Sequence, residues 1–267
     1  MGRKIKVALG QFTSKIGDIS YNVAKAEKFI YQAADNGADI ICLPELFATG
    51  YNLNILSDSI ISLSKENYEF IYKRMSKAAK DNYINLIAPF ANLDENNNLY
   101  NSAFFFNRNG ELLETYNKTH SFGLEKNYFT EGKSLKVFDT DIGKVGILIC
   151  YDVGFPETAR TLCLKGAQMI FIPSAWRIQD ENAWNLNIPS RALENSLYTF
   201  GINRSGHEGD LHLFGRSKAC ALSGEVILQM DYDSDEAAVC EIDLDNIEEI
   251  RNRNGYLRDR KTELYQI

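Results

Sequence analysis

The chain has 267 residues, 45% of them hydrophobic, which is enough to bury one large core. Its formal net charge of -7 disfavours a nucleic-acid backbone or an anionic membrane surface as the main partner. No apolar run approaches the roughly 18 residues that span a bilayer, and the basic amino-terminal segment lacks the apolar stretch of a signal peptide. These features predict a cytoplasmic protein without nucleic-acid or membrane partners.

Apolar patterns predict helices and strands that alternate along the chain. The helices are predicted over residues 20–36, 66–81, 156–166 and 182–195. Strands are predicted over residues 4–12, 39–43, 84–90, 145–149, 168–173, 197–203 and 237–242. Predicted hairpins join 99–107 to 111–116 at Asn109 and Gly110, and 214–222 to 225–230 at Ser223 and Gly224. This order indicates an α/β sandwich of mixed sheets in a single domain covering residues 1–267.

The five cysteines form no CxxC pair, and they stand at Cys42, Cys150, Cys163, Cys220 and Cys240. An odd count without close pairs favours reduced thiols over a disulfide framework or a zinc site. Most of these thiols lie in apolar strands or on a helix face, where cysteine packs as a small hydrophobe. We therefore expect neither disulfides nor a structural metal.

Three predicted strand ends carry reactive side chains. Glu45 follows the strand 39–43, Lys118 follows the second arm of the first hairpin, and Cys150 ends the apolar run 145–149. Ligands gather at the carboxyl ends of strands in α/β proteins. The three residues are far apart in sequence, so only the fold can bring them together.

An acid, an amine and a thiol suit nucleophilic catalysis. A thiol is a weak nucleophile at its reference pKa of about 8.5, and a carboxylate can take its proton as general base. An ammonium group favours the thiolate and can stabilise the oxyanion of a tetrahedral intermediate. Glu125, seven residues after Lys118, either holds that lysine or acts as a second acid or base.

Each of the three residues also has an ordinary structural explanation. Cys150 can be core filler, Glu45 can be the acid at a helix start, and Lys118 can be a solvated turn residue. Taken together and in this order, however, the surrounding motifs resemble the nitrilase superfamily of carbon–nitrogen hydrolases, and its amidase branches in particular. The motifs are LPELFATGY, YNKTH, LEKNYFTEG, GILICYDVGFPE, RALENSLYTFGINRSG and FGRSKACALSGEVI.

The resemblance implies a four-layer αββα sandwich that forms a homodimer or larger homo-oligomer and uses no metal or organic cofactor. It also implies a catalytic triad in which Glu45 is the general base, Lys118 stabilises the oxyanion and Cys150 is the nucleophile. Glu125 matches the supporting second glutamate of the family.

Three further residues are expected around the substrate. The backbone N–H of Tyr151 is expected to complete the oxyanion hole. Tyr51 lies just past Glu45 and is expected to line the site. Trp176 is expected to wall the acyl pocket, with a core position as the alternative.

The implied activity is that of a thiol amidase, which hydrolyses a small aliphatic amide to a carboxylic acid and ammonia through a Cys150 thioester. An N-carbamoyl amine or amino acid amidohydrolase, a nitrilase, and a catalytically silent binding protein on the same fold remain as alternatives. Many family amidases that act on carboxylate-bearing substrates have arginine where this chain has Gly154. We therefore expect a neutral or amine-bearing substrate, although Arg177 could be a substitute anchor.

The segment GHEGDLHLFG holds His207, Glu208, Asp210 and His212. These residue types can bind a metal, but ordinary loop composition favours a polar loop near the pocket rim. We therefore expect a polar loop near the pocket rim and not a metal site.

Overall fold

A computed structural model describes residues 2–265 of the chain. The helices are α1 (Ile19–Asp35), α2 (Leu53–Leu56), α3 (Ser59–Asp81), α4 (Pro156–Leu164), α5 (Glu181–Asn195) and α6 (Asn246–Asn254). Short 3₁₀ segments occur at Gly123–Asn127, Cys150–Gly154, Ile178–Asp180 and Thr262–Leu264. In the described range no helix combines the length and the apolar character needed to cross a membrane.

The strands form two six-stranded mixed sheets and one separate hairpin. The strands are β1 (Lys4–Gln11), β2 (Ile40–Cys42), β3 (Asn85–Leu93), β4 (Leu99–Phe106), β5 (Leu112–Asn117), β6 (Val137–Thr140), β7 (Gly143–Ile147), β8 (Met169–Ser174), β9 (Tyr198–Asn203), β10 (Ser205–Glu208), β11 (Leu211–Phe214), β12 (Lys218–Cys220), β13 (Val226–Gln229) and β14 (Glu236–Asp243). The first sheet has the order β14-β1-β2-β3-β4-β5 and the second the order β13-β12-β9-β8-β7-β6.

The two sheets pack face to face, and helices cover their outer faces. Alternate residues of β1 show this: Val7 and Leu9 belong to the cluster between the sheets, whereas Ala8 packs with α1 and α3. Helices α4 and α5 contribute to a third cluster on the outer face of the second sheet. Because both faces of the central strands are buried, these strands need continuous apolar runs. The predicted four-layer αββα sandwich is confirmed.

Several predicted elements have different bounds in the structure. Helix α3 begins at Ser59 instead of residue 66, because Ile60 and Ser64 continue the buried face formed by Ile71 and Met75. The serine-rich composition of this stretch is typical of a loop and hides the helical period.

The sequence predicts a polar loop near the pocket rim around residue 208. The loop is wrong, because the segment forms the hairpin β10–β11, which pairs antiparallel outside both main sheets. The position is confirmed, because the turn residues Gly209 and Asp210 line a cavity. Helix α6 and strand β6 were not predicted either, and α6 has a weak apolar pattern, because Ile247 and the partly buried Ile250 are its only apolar residues.

Candidate active site

Two sheets supply the three predicted catalytic side chains. Glu45 lies just after β2 and Lys118 directly after β5, so both come from the first sheet. Cys150 begins the 3₁₀ segment that follows β7, in the second sheet. The strands end at these points while the chain is still buried, and the side chains that follow them lie where the two sheets end.

Glu45, Lys118 and Glu125 form one buried cluster. The Lys118 Nζ donates hydrogen bonds to Glu45 Oε1 at 2.7 Å and to Glu125 Oε1 at 2.8 Å. Asn101 Nδ2 also donates to Glu45 Oε1, at 2.7 Å, and the Tyr51 hydroxyl donates to Glu125 Oε1 at 2.6 Å. The three charged side chains are at most 2% exposed. The structure thus brings Lys118 together with both glutamates.

Glu45 keeps one carboxylate oxygen free. Its Oε2 is buried and has no hydrogen-bond partner among the described residues. Burial raises the pKa of Glu45, and the neighbouring Lys118 ammonium opposes that rise. A buried carboxylate with an unpartnered oxygen and a raised pKa is a competent proton acceptor.

The pKa values of Lys118 and Cys150 are both raised, but burial acts on them in opposite directions. Burial lowers the pKa of Lys118, but the charges of Glu125 and Glu45 outweigh burial and raise it well above its usual value. The pKa of the Cys150 thiol is raised, first by burial and then by Glu45, whereas Lys118 and the backbone N–H of Ala175 act against the rise. The resting site therefore holds a protonated lysine and a neutral thiol, which needs a base during attack. These pKa shifts indicate that the charges of Glu45, Lys118 and Glu125 act on the Cys150 thiol.

Cys150 adopts an unusual backbone conformation. Its φ of 51° lies in the left-handed region, which costs free energy for a residue with a side chain. The next residue, Tyr151, lies in the first turn of a 3₁₀ segment, so its N–H has no partner within that segment. The turn therefore presents a thiol and an available N–H group side by side.

Asp152 joins the Cys150 turn to the Lys118 loop. Its Oδ2 accepts hydrogen bonds from the Ile149 N–H at 2.9 Å and from the Tyr116 hydroxyl at 2.7 Å. Its Oδ1 accepts from the Thr119 hydroxyl and the His120 N–H, both at 2.9 Å. The sequence alone does not predict a role for Asp152. The feature of the sequence that could have indicated its role is an aspartate next to a buried apolar run, because a buried carboxylate requires several hydrogen-bond donors.

A cavity of about 180 Å³ opens beside the thiol. It is lined by Tyr51, Phe122, Cys150, Tyr151, Ala175, Trp176, Arg177, Asp180 and Ala183. The structure thus places Tyr51, Tyr151 and Trp176 around the predicted nucleophile. Trp176 also packs on Trp184, with ring centroids 5.8 Å apart, so it belongs both to the cavity wall and to the adjoining core.

The charged side chains that line this cavity are Arg177 and Asp180, and they pair with each other. Arg177 Nη2 lies 2.5 Å and Nε 2.8 Å from Asp180 Oδ2. The guanidinium also lies over the Phe122 ring, 5.2 Å from its centroid. A larger outer cavity of about 690 Å³ shares Tyr51, Phe122 and Arg177 with the inner one and gives a route from the surface.

Gly154 does not line either cavity. Its carbonyl accepts a hydrogen bond from Arg191 Nη2 at 3.3 Å, and a Cβ added at Gly154 would meet nothing within 4 Å. The space that a larger side chain would use is therefore open.

The two histidines of the β10–β11 hairpin lie apart from the thiol site. The rings of His207 and His212 stack at 4.3 Å, and His212 Nε2 lies 3.1 Å from Asp233 Oδ1. Within residues 2–265 no group of side chains has the arrangement of a metal site. Glu208 points inward instead, where its Oε2 accepts from two backbone N–H groups.

Comparison with known proteins relates the whole fold to one family. The sequence pattern described as carbon-nitrogen hydrolase matches residues 6–252. A nitrilase from Pyrococcus abyssi is 35% identical over 264 residues, which cover 98% of this chain and 99% of the relative. An N-carbamoylputrescine amidase from Arabidopsis thaliana is 31% identical over 288 residues, covering 99% of this chain and 95% of the relative.

A solved structure adds a chemical observation. It is a mutant of the amidase from Nesterenkonia sp. AN1, with the acetamide moiety of fluoroacetamide added covalently at its active site cysteine. The two structures superpose with a TM-score of 0.87 at 26% identity, covering 97% of this chain and 95% of the other.

Proposed function

The chain belongs to the carbon-nitrogen hydrolase family of enzymes, and from that premise we propose that it is a thiol amidase. Its reaction is the hydrolysis of a small aliphatic amide to a carboxylic acid and ammonia. The observation that carries this proposal is the free, buried Oε2 of Glu45 in a lysine-bridged cluster next to a neutral thiol that lines an apolar cavity.

The first half of the reaction makes a thioester. The Cys150 sulfur attacks the amide carbon while its proton passes to Glu45, and the carbonyl oxygen becomes an oxyanion. The Lys118 ammonium and the N–H of Tyr151 stabilise that oxyanion. When the C–N bond breaks, Glu45 gives its proton to the departing nitrogen, so ammonia leaves and the acyl group stays on sulfur.

The second half of the reaction releases the acid. Glu45 takes a proton from water as the water oxygen attacks the thioester carbon. The C–S bond then breaks, and the proton returns to the Cys150 sulfur. Glu125 has a supporting role in this proposal, because its hydrogen bonds to Lys118 and Tyr51 hold the ammonium in place in both halves.

The inner cavity favours a short substrate. At about 180 Å³ it is much smaller than the outer cavity of about 690 Å³. Its lining is largely apolar, with the aromatic rings of Tyr151 and Trp176 among its walls. A short aliphatic acyl group suits this small, apolar space.

The charges at the cavity favour a neutral or amine-bearing substrate. Arg177 is already paired with Asp180, and both of its hydrogen bonds go to the same oxygen, Oδ2. A substrate carboxylate must compete with Asp180 for Arg177, whereas a substrate ammonium can approach Asp180 Oδ1. The glycine at position 154 adds no cation that would favour a carboxylate.

An N-carbamoyl amine is the second candidate substrate, and the acidic side chain of Asp180 in the cavity is the observation that favours it. The name of the Arabidopsis relative is consistent with an amine-bearing substrate. Nitrile hydrolysis is a third candidate, since the same thiol, acid and lysine can act on a nitrile carbon.

We also propose, from composition and sequence pattern, that the protein is cytoplasmic and consists of a single domain, and, from the family resemblance, that it forms a homodimer or larger homo-oligomer. Light scattering coupled to size-exclusion chromatography tests the assembly. A monomer at micromolar concentration would contradict it.

Ammonia release from a defined panel tests the activity and the substrate class together. The panel contains propionamide, butyramide, 4-aminobutyramide, succinamate, N-carbamoylputrescine and butyronitrile, with Cys150→Ala as the blank. We expect turnover of the neutral or amine-bearing amides and a clear disadvantage for succinamate. Preference for succinamate would contradict the charge argument.

Iodoacetamide labelling separates an enzyme from a silent binding protein on the same fold. We expect one fast-reacting thiol, at Cys150, and loss of that reaction in Cys150→Ala. If Cys150 labels no faster than free cysteine and no panel compound is turned over, the silent protein is the better account.

A further inference from the structure

Arg204 and Glu208 form a further buried ion pair, on elements that carry none of the proposed catalytic side chains. Arg204 follows β9 and Glu208 ends β10, and the Arg204 guanidinium pairs with Glu208 Oε1. Their side chains are 0% and 2% exposed. Neither residue lines the inner or the outer cavity. Burying an ion pair costs desolvation free energy, so the pair is weak evidence of stabilisation by itself. The other contacts of Arg204 and Glu208 indicate its role.

Glu208 holds the backbone of the segment that follows Glu45. Its Oε2 accepts hydrogen bonds from two successive N–H groups, of Tyr51 at 2.8 Å and of Asn52 at 2.7 Å. The Asn52 side chain returns a hydrogen bond to the Glu208 carbonyl at 2.6 Å. Charge-assisted bonds of this kind are stronger than neutral ones. The position of the Tyr51 backbone is therefore set by Glu208.

Arg204 anchors Glu208 and the near end of the same segment. Its Nη1 donates to the Leu46 carbonyl at 3.4 Å, directly after Glu45. Its own backbone N–H donates to Ser174 at 3.0 Å, at the end of β8. The pair thus connects the second sheet to both ends of the segment 46–52, which joins the general base to Tyr51.

The Tyr51 side chain connects this backbone segment to the catalytic cluster. Its hydroxyl donates to Glu125 at 2.6 Å, and Glu125 in turn accepts from Lys118 at 2.8 Å. A continuous series of buried polar contacts therefore runs from Arg204 through Glu208, Tyr51 and Glu125 to Lys118. The Arg204–Glu208 link is an ion pair without hydrogen-bond geometry, and the links from Glu208 to Lys118 are hydrogen bonds.

We propose that Glu208 is a positioning residue, which acts through the Tyr51 backbone and hydroxyl to hold Glu125 and Lys118 in place against Glu45. Arg204 is its anchor. The pair is also an electrostatic neighbour of the site: burial lowers the pKa of Arg204, while the charges of Glu208 and Glu45 oppose that shift.

A double-mutant cycle between Glu208→Gln and Tyr51→Phe tests this proposal. The readout is the rate constant for iodoacetamide alkylation of Cys150 as a function of pH, which needs no substrate and is followed by peptide mapping. We expect each single variant to slow alkylation about tenfold, which corresponds to about 1.4 kcal/mol in activation free energy and lies within the range of coupling energies for one hydrogen-bond network. Because both variants break the same series of contacts, the double variant should be no slower than the slower single variant, within about twofold.

The matched control is Glu225→Gln, which makes the same charge change at an exposed position outside both cavities. It should alkylate at the wild-type rate. If Glu208→Gln does not fold, Glu208→Asp replaces it, since it keeps the charge but shortens the reach to Tyr51. A double variant whose loss equals the product of the two single losses, or a Glu208 variant within twofold of wild type, overturns the proposal.

The proposal rests on the proposed function only for its effect on turnover. Where a panel amide is hydrolysed, Glu208→Gln should lower kcat more than it changes KM, because Glu208 lines neither cavity. Alkylation coupling without turnover of any amide would leave the positioning role standing and reject the amidase proposal. Turnover without alkylation coupling would support the amidase proposal and reject the positioning role.

Discussion

The two sheets of the sandwich contribute to the candidate site by different physical means. The first sheet supplies charged groups, and hydrogen bonds hold Glu45 and Lys118 in place. The second sheet supplies Cys150, whose position is set by backbone conformation at φ 51°, and the apolar cavity wall that includes Trp176. Removing a charge from the first region leaves a buried partner unpaired, whereas changing a wall residue mainly alters shape. We therefore expect the first region to tolerate substitution least.

The largest effect is expected for Glu45→Gln. The amide keeps the size of the side chain but cannot accept the thiol proton at Oε2, and loss of a general base typically lowers the rate by about 10²–10⁴-fold. Ammonia release from the best panel amide measures kcat/KM. The control is Glu114→Gln, which makes the same change in the surface pair with Lys136. A loss below tenfold for Glu45→Gln would contradict its role as base.

An intermediate effect is expected where the two regions join. Asp152→Asn replaces an oxygen that accepts several donors with an amide NH₂, which places donor against donor at the backbone N–H of Ile149 or of His120. One unsatisfied buried partner costs about 1–3 kcal/mol, so the free energy of unfolding should fall by about that amount. Urea denaturation followed by fluorescence measures the change.

The same variant also tests whether the junction matters for chemistry. Because Asp152 ties the Cys150 turn to the Lys118 loop, we expect Cys150 alkylation to slow even under conditions where the variant is fully folded. Unchanged alkylation together with lowered stability would make Asp152 a purely structural residue. The two regions would then be independently positioned.

The smallest effect concerns pH at that junction. The pKa of His120 is raised, chiefly because its side chain hydrogen-bonds to Asp152, and burial opposes the rise. The folded state therefore favours the protonated ring. This contribution to stability is fully present below the unfolded pKa of about 6.5 and is lost as pH rises through the higher folded pKa.

We accordingly expect His120→Asn to lower the urea midpoint more at pH 5.5 than at pH 9, relative to wild type at each pH. The comparison at two pH values cancels the effect of groups that both proteins share. An equal loss at both values would show that the ring contributes through packing on Phe155, at 3.9 Å between centroids, and not through its charge.

The sequence contained the information that places the predicted triad. Apolar runs that stop at Leu43 and Ile149 mark the strand ends to within two residues, and in an α/β sandwich such ends lie at a common edge. The residue types that follow then predict the chemistry. Local pattern was sufficient here because each residue is close in sequence to the strand that positions it.

Residues positioned by distant partners could not be found in this way. Glu208 lies in a polar segment that resembles a loop, yet its carboxylate is buried against Tyr51 and Asn52, more than 150 residues earlier in the chain. Asp152 likewise depends on Tyr116 from the other sheet. A one-dimensional pattern records polarity but not which polar group is enclosed, so these two residues required the structure.

The central claim is that the Cys150 sulfur carries the acyl group during turnover. Intact-protein mass spectrometry on samples quenched with acid, during turnover of the best panel amide, measures this directly. We predict a mass increase equal to the acyl group, located on the peptide that contains Cys150 and absent from Cys150→Ala. Turnover that proceeds with no acyl adduct on Cys150, or with the adduct on another residue, would contradict the account.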